Sequence, residues 1–201
     1  MNKTITIGRE FGSGGRELAL KLSEALGYDY YDREIIEEIA KRTELSEKYV
    51  QQVLEHDPHH HLPITVGHTF AYLHHYGIER QHAVYREQSK VIKQMAENGN
   101  CIIVGRCADF ILKEFNPLKI FVYSDIDHKV NRCKERADVK EHFTDKQLKK
   151  HIKAIDKNRA RYYKFYTGNE WGDKLHYDIC INTATMNIDD VVKMLVKMLK
   201  D

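Results

Sequence analysis

Thr4-Ile5-Thr6-Ile7 runs into Gly8-Arg9-Glu10-Phe11-Gly12-Ser13-Gly14-Gly15-Arg16-Glu17, after which apolar residues recur at helical spacing. A β-branched run, a glycine cluster and an amphipathic helix in direct succession form the layout of a phosphate-binding loop. In such a loop, backbone N–H groups and a helix N-terminus face an anion. Gly12, Ser13, Gly14, Gly15, Arg16 and Glu17 are the candidate phosphate contacts. The lysine and the Ser/Thr that follow the last glycine of a Walker A loop are absent. Gly15, Arg16 and Glu17 stand in their place.

Arg9 or Arg16 can supply the missing charge. A cation in the first turn of a helix sits badly beside the dipole unless an anion is bound. That favours a ligand role for Arg16. Two readings of Glu17 stand: a carboxylate that suits a helix N-terminus, or a magnesium ligand where a P-loop hydroxyl usually serves. Further candidates lie at other strand ends, where ligands of open parallel sheets bind. These are Asp32-Arg33, Gly105-Arg106 and Ser124-Asp125. The planar fork of arginine suits phosphate oxygens. The basic run Arg132, Lys134, Arg136, Lys140 and Lys146 reads either as a lid clamping phosphates or as a solvated helix face.

Five apolar runs must position these groups: residues 3–7, 28–31, 101–104, 119–123 and 177–181. Helical periodicity fills the intervals, with Gly27 as a stop, Asp32, Ser46 and Asp125 or Asp127 as N-caps, and a closing helix from Ile188. Strands alternating with helices predict a parallel sheet covered on both faces. The run Cys101 to Val104 is apolar throughout, as a strand buried on both faces must be. A single α/β domain with an inserted helical lobe follows.

With 32 basic and 30 acidic residues among 201, the net charge of +2 gives no global field for a nucleic acid polymer or a membrane. No apolar run approaches the roughly 20 residues of a membrane span, and no leader-like apolar stretch opens the chain. A cytoplasmic protein is expected. The four cysteines form no CxxC pair, so reduced thiols are expected, with Cys101 and Cys180 buried in strands. Eight of the 12 histidines fall between His56 and His82 without metal-ligand spacing, which reads as a polar loop. Trp171 suits either base stacking or packing.

On these residues the chain resembles the cytidylate kinases, and more closely their cytidylate kinase-like relatives. Ile7 to Ala19 is similar to the family's P-loop, with Gly12-Ser13-Gly14 on its Gly-Ser-Gly and Gly15 on its lysine. Tyr31-Asp32-Arg33-Glu34 stands where the monophosphate site begins. Val104-Gly105-Arg106-Cys107 resembles the family's Gly-Arg-Asp, with Cys107 for the aspartate. Asp156-Lys157-Asn158-Arg159 resembles its Asp-x-x-Arg helix.

The resemblance implies a three-layer α/β/α P-loop fold around a five-stranded parallel sheet. Its core would be residues about 1–42 and 99–201, with a helical acceptor-binding lobe at about 43–98 and a lid at about 132–146. It implies ATP with Mg2+ as cofactors and a nucleoside monophosphate as acceptor, CMP or dCMP first. Arg9, Arg16, Arg132 and Arg136 would be the catalytic cations, and Asp32, Arg33, Arg106, Asp156 and Arg159 would bind the acceptor. Glu17 and Asp125 would serve the metal. Two other readings remain open: a nucleotide-binding protein with a degenerate loop, and a kinase for a non-nucleotide metabolite. Residues 43–98 match no motif of the family.

Overall fold

The computed structural model describes residues 3–55, 68–136 and 143–200, without the side chains of residues 55 and 68–78. Strands β1 (Thr4–Arg9), β2 (Asp29–Tyr31), β3 (Cys101–Val104), β4 (Leu118–Tyr123) and β5 (Ile179–Asn182) form one sheet in the order β2-β3-β1-β4-β5. Every pairing is parallel. The glycine loop therefore leaves the middle strand, with the ends of β3 and β4 on either side. That is the crevice where such sheets bind ligands.

Alternation along the strands divides the core. Ile102 and Val104 face one cluster with Ile5, Ile7, Ile120 and Val122, while Cys101 and Ile103 face the other. Helices α1 (Gly15–Leu26) and α8 (Ile188–Lys200) cover the first face through Leu18, Leu22, Val191 and Leu195. The second face takes α2 (Glu34–Thr43), α3 (Glu47–Glu55), α4 (His68–Asn98), α5 (Ala108–Ile111) and α7 (Asp145–Thr167). Helix α6 (Ile126–Arg136) packs on α7 through Val130, Leu148 and Ile152, which places it over the glycine loop. Val50, Leu54, Val84 and Ile92, from the stretch without a family motif, share a cluster with Ile35, Ile39 and Ile103.

The helix ends follow their chemistry in most places. Gly27 closes α1 at φ 68°, and Ser46 Oγ accepts the Tyr49 N–H at 3.2 Å. Asp125 accepts the His128 N–H at 2.8 Å, and Thr144 with Gln147 forms a capping box at the start of α7. Two expectations fail. Arg33, not Asp32, stands at the N-cap of α2 and makes no side-chain cap, because the Asp32 carboxylate is engaged by arginines. Cys180 is exposed, because β5 is an edge strand.

The histidines His56 to His61 and Lys140 lie outside the described residues. Among those described, no helix is long and apolar enough to cross a membrane.

Candidate active site

The loop between β1 and α1 is held from beneath. The Ser13 hydroxyl is fully buried, 2.9 and 3.1 Å from the carbonyl oxygens of Glu10 and Val122. Thr183 Oγ1 donates to the Ser13 carbonyl at 2.7 Å. Gly14 has φ 82°, and a Cβ there would stand 2.7 Å from Ile188 Cδ1 and 2.9 Å from Arg132 Nη2. The loop thus presents backbone to its pocket while its one hydroxyl is turned inward.

A buried ionic group lies beside it. Asp156 on α7 accepts the Phe11 N–H at 2.7 Å through Oδ1 and the Lys129 ammonium at 2.9 Å through Oδ2. Lys129 also donates to Glu10 Oε2 at 2.7 Å, and Glu10 Oε2 accepts the Ser124 N–H at 3.1 Å. Burial pulls the Lys129 pKa down, but its bonds to Glu10 and Asp156 outweigh that and leave it raised. Sequence reasoning missed Lys129. The signal was its place one and two turns before Arg132 and Arg136 on one helix face.

Arginines dominate the other side. The Arg9 guanidinium is 3.5 Å from Asp32 Oδ1, and Arg16 Nε donates to Asp32 Oδ2 at 2.6 Å. Arg159 Nη1 donates to the Arg9 carbonyl at 3.1 Å, and its guanidinium lies over the Phe11 ring. Burial, with the charges of Arg159, Arg106 and Arg16, lowers the Arg9 pKa to about 9 against the opposing pull of Asp32. Arg106 and Cys107 both lie in the left-handed region, at φ 59° and 54°. The Arg106 carbonyl accepts from the buried Gln88 Nε2 at 2.9 Å.

Two cavities meet at these residues. One of about 390 Å³ runs along Gly12, Gly14, Gly15 and Arg16 to Arg132 and Arg136. A second, of about 50 Å³, lies between Gly105, Arg106, Asp109, Tyr162, Trp171 and Tyr177. Arg9 and Arg159 line both. The Tyr163 hydroxyl donates to Asp109 at 2.6 Å, and burial raises the pKa of that carboxyl. The buried Tyr162 hydroxyl has no hydrogen-bond partner among the described residues. Trp171 packs edge-on against Phe121 at 5.4 Å and also lines the smaller cavity.

Glu17 faces the basic face of α6. It bonds Arg132 Nη2 at 2.5 Å, Arg136, and Lys21 at 3.1 Å. Burial works to raise its pKa, yet the Arg132 and Lys21 bonds and the Arg136 charge bring it down to about 2. Asp125 is held below the usual carboxylate range chiefly by the His128 N–H. Among the described residues, no group of three or more His, Cys, Asp or Glu gathers to hold a metal ion. The site therefore brings together Arg9, Arg16, Asp32, Arg106, Asp156 and Arg159 around the loop. Arg33 and Asp125 line neither cavity; Arg33 pairs with Glu37 and Glu47 at the surface.

This arrangement has relatives. Cytidylate kinase from Saccharolobus islandicus is 22% identical over 189 residues, which cover 94% of this chain and 86% of that protein. The crystal structure of an uncharacterized protein from Eubacterium ventriosum matches with a TM-score of 0.71 and 29% identity, over 99% of each chain. Shikimate kinase from Bacteroides thetaiotaomicron matches over 100% of each chain with a TM-score of 0.58 and 15% identity, a likeness of fold. The five-stranded parallel sheet and its flanking helices are accordingly a P-loop kinase fold. The model of the cytidylate kinase-like family matches residues 4–185, and the chain belongs to that family.

Proposed function

We propose that this protein is an ATP-dependent phosphotransferase of the cytoplasm, with CMP or dCMP as the first acceptors to test. One observation carries the reading: Arg9 and Arg159 line both the loop pocket and the smaller cavity. Cations on a wall common to two compartments suit a phosphoryl group that passes between them. Such transfer needs alignment and charge more than covalent help.

In this reading, the N–H groups of Gly12 to Arg16 hold the donor phosphates, and Arg132 and Arg136 close over them from α6. Arg9 takes the part of the absent loop lysine, with Asp32 fixing it and Arg16. Arg106 and Arg159 hold the acceptor, and the helical stretch of residues about 43–98, from which Leu54 lines the smaller cavity, takes part in selecting it. An oxygen of the acceptor's phosphate forms the new bond to the γ-phosphorus as the bond to the β–γ bridging oxygen breaks, and that oxygen leaves with ADP; a hydroxyl acceptor would in addition give its proton to solvent. Asp156 acts from beneath the loop through Phe11.

Magnesium neutralises the phosphate chain when bound. The inward Ser13 hydroxyl and the engaged Glu17 carboxylate fit an ion that arrives on the nucleotide better than one held by protein alone. Of the two carboxylates the sequence offered, Glu17 would give it a protein oxygen once its arginines turn to phosphate, whereas Asp125 lies outside both cavities.

A coupled ADP-release assay over nucleoside monophosphates and small hydroxylated acids and sugars tests this. ADP release with CMP or dCMP is the expected result. The narrowness of the smaller cavity favours a second reading, in which a compact non-nucleotide acceptor turns over while CMP, dCMP and UMP stay inert. Nucleotide binding with no turnover of any acceptor would make the chain a non-catalytic binder.

A further inference from the structure

Lys129, Arg132 and Arg136 occupy one face of α6, at spacings of three and seven residues. The two arginines line the loop pocket, whereas Lys129 lies below it with 7% of its side chain exposed. A Cβ on Gly12 would stand 3.3 Å from Lys129 Cβ and 3.2 Å from its carbonyl oxygen, so loop and helix touch there. The ammonium bonds one carboxylate from the loop, Glu10 at 2.7 Å, and one from α7, Asp156 at 2.9 Å. Each carboxylate also accepts a backbone N–H, from Ser124 and Phe11 respectively. One cation thereby ties together the glycine loop, the end of β4, α6 and α7.

The charges matter as much as the geometry. Glu10 and Phe11 line the pocket that Gly12 to Arg16 form, so two carboxylates stand close beneath a site shaped for a polyanion. Left uncompensated in a partly buried place, they would repel phosphate strongly. A P-loop ordinarily meets its nucleotide with a lysine of its own, and this loop has Gly15 there.

We propose that Lys129 is a positioning residue that makes this loop an anion site from below: together with Arg159, 4.0 Å from Asp156 Oδ1, it offsets the charges of Glu10 and Asp156, and it fixes the Phe11 N–H without touching phosphate. The assignment rests on the reading of the loop pocket as the nucleotide site.

Titration calorimetry of Mg-ADP against the full chain tests it, with thermal unfolding of each variant as a fold check. Lys129→Met is expected to weaken binding about tenfold or more. The pair Glu10→Gln with Asp156→Asn keeps Lys129 and every backbone hydrogen bond that an amide oxygen can accept. It is expected to bind Mg-ADP several-fold tighter than the parent, and high salt should shrink that gain.

A merely structural ring predicts the opposite sign, because loosening it can only weaken binding. Parent-like affinity in Lys129→Met, or weaker binding in the double amide variant, overturns the proposal. If Lys129→Met does not fold, the double amide variant decides alone. A parent protein that binds neither Mg-ADP nor Mg-ATP instead removes the nucleotide reading itself.

Discussion

The guanidinium of Arg9 lies where a side chain on Gly105 would have to go: a Cβ there would stand 1.7 Å from Arg9 Nη1. The two residues end neighbouring parallel strands, and the Gly105 N–H donates to the Ile7 carbonyl at 3.0 Å. The bare Cα of Gly105 is the floor over which Arg9 crosses from the loop to the smaller cavity. Gly105 also has φ 69°, which a residue with a Cβ adopts at a cost. Gly105→Ala is expected to lose about 1–3 kcal/mol of stability. It should also lower kcat about tenfold, equivalent to roughly 1.4 kcal/mol of barrier. Urea unfolding and ADP release measure the two effects; unchanged kcat would detach Arg9 from the transfer step.

Arg106 lines only the smaller cavity, whereas Arg159 lines both. Arg106→Ala is therefore expected to raise the acceptor KM about tenfold while leaving Mg-ATP affinity nearly unchanged. Arg159→Ala should damage both, because it also removes the bond to the Arg9 carbonyl. Calorimetry with Mg-ATP alone, set beside acceptor saturation curves, separates the two variants. Identical profiles for both would mean that the cavities do not divide donor from acceptor.

Tyr162 offers a test of the acceptor itself. Its buried hydroxyl has no partner among the described residues, so Tyr162→Phe should be neutral or stabilising by up to about 1 kcal/mol. The same change should raise the acceptor KM several-fold, because a polar group of the acceptor would lose its partner. Stability from urea titration is thus kept or gained while acceptor affinity, read from the KM for ADP release, is lost. An unchanged KM would place the acceptor's polar end elsewhere.

Glu17 makes stability depend on acid. Its carboxyl is lowered from 4.5 to about 2 in the folded chain by Arg132, Lys21 and Arg136 against the upward push of burial. A depressed carboxylate contributes stability that is complete above pH 4.5 and is lost as pH falls toward 2. Glu17→Gln should lower stability at neutral pH and flatten its decline across that window. Urea midpoints measured down the acid limb check the slope; parallel curves for parent and variant would leave Glu17 without this role.

Much of this was legible in the residues. The glycine loop and Gly105-Arg106 announce themselves, because strand, glycine and arginine follow one another at strand ends and the crevice rule places them together; Arg159, in the middle of α7, is named by the family resemblance alone. Lys129 was hidden because Asp127, His128, Arg132 and Lys134 surround it in sequence and make its helix look solvated. Only the packing of α6 on α7 reveals that one of these cations is buried. Asp32 reads as a helix cap or as an acceptor ligand, and only the fold shows that Arg16 at 2.6 Å and Arg9 at 3.5 Å engage its carboxylate instead. The exposure of Cys180 depends on β5 lying at the sheet edge, a property of strand order that local composition does not encode.

Arg106 and Cys107 succeed each other at φ 59° and 54°, a backbone that L residues hold at roughly 1–2 kcal/mol apiece. Glycine would relax both, but Cys107 is buried in the core and its loss would leave a cavity, so a screen for heat resistance alone should enrich Arg106→Gly ahead of Cys107→Gly. The first of these removes a cation from the smaller cavity. Thermal hardiness and turnover are thus set against each other at this corner, and a robust version of the chain is better sought on the outer faces of α1 and α8.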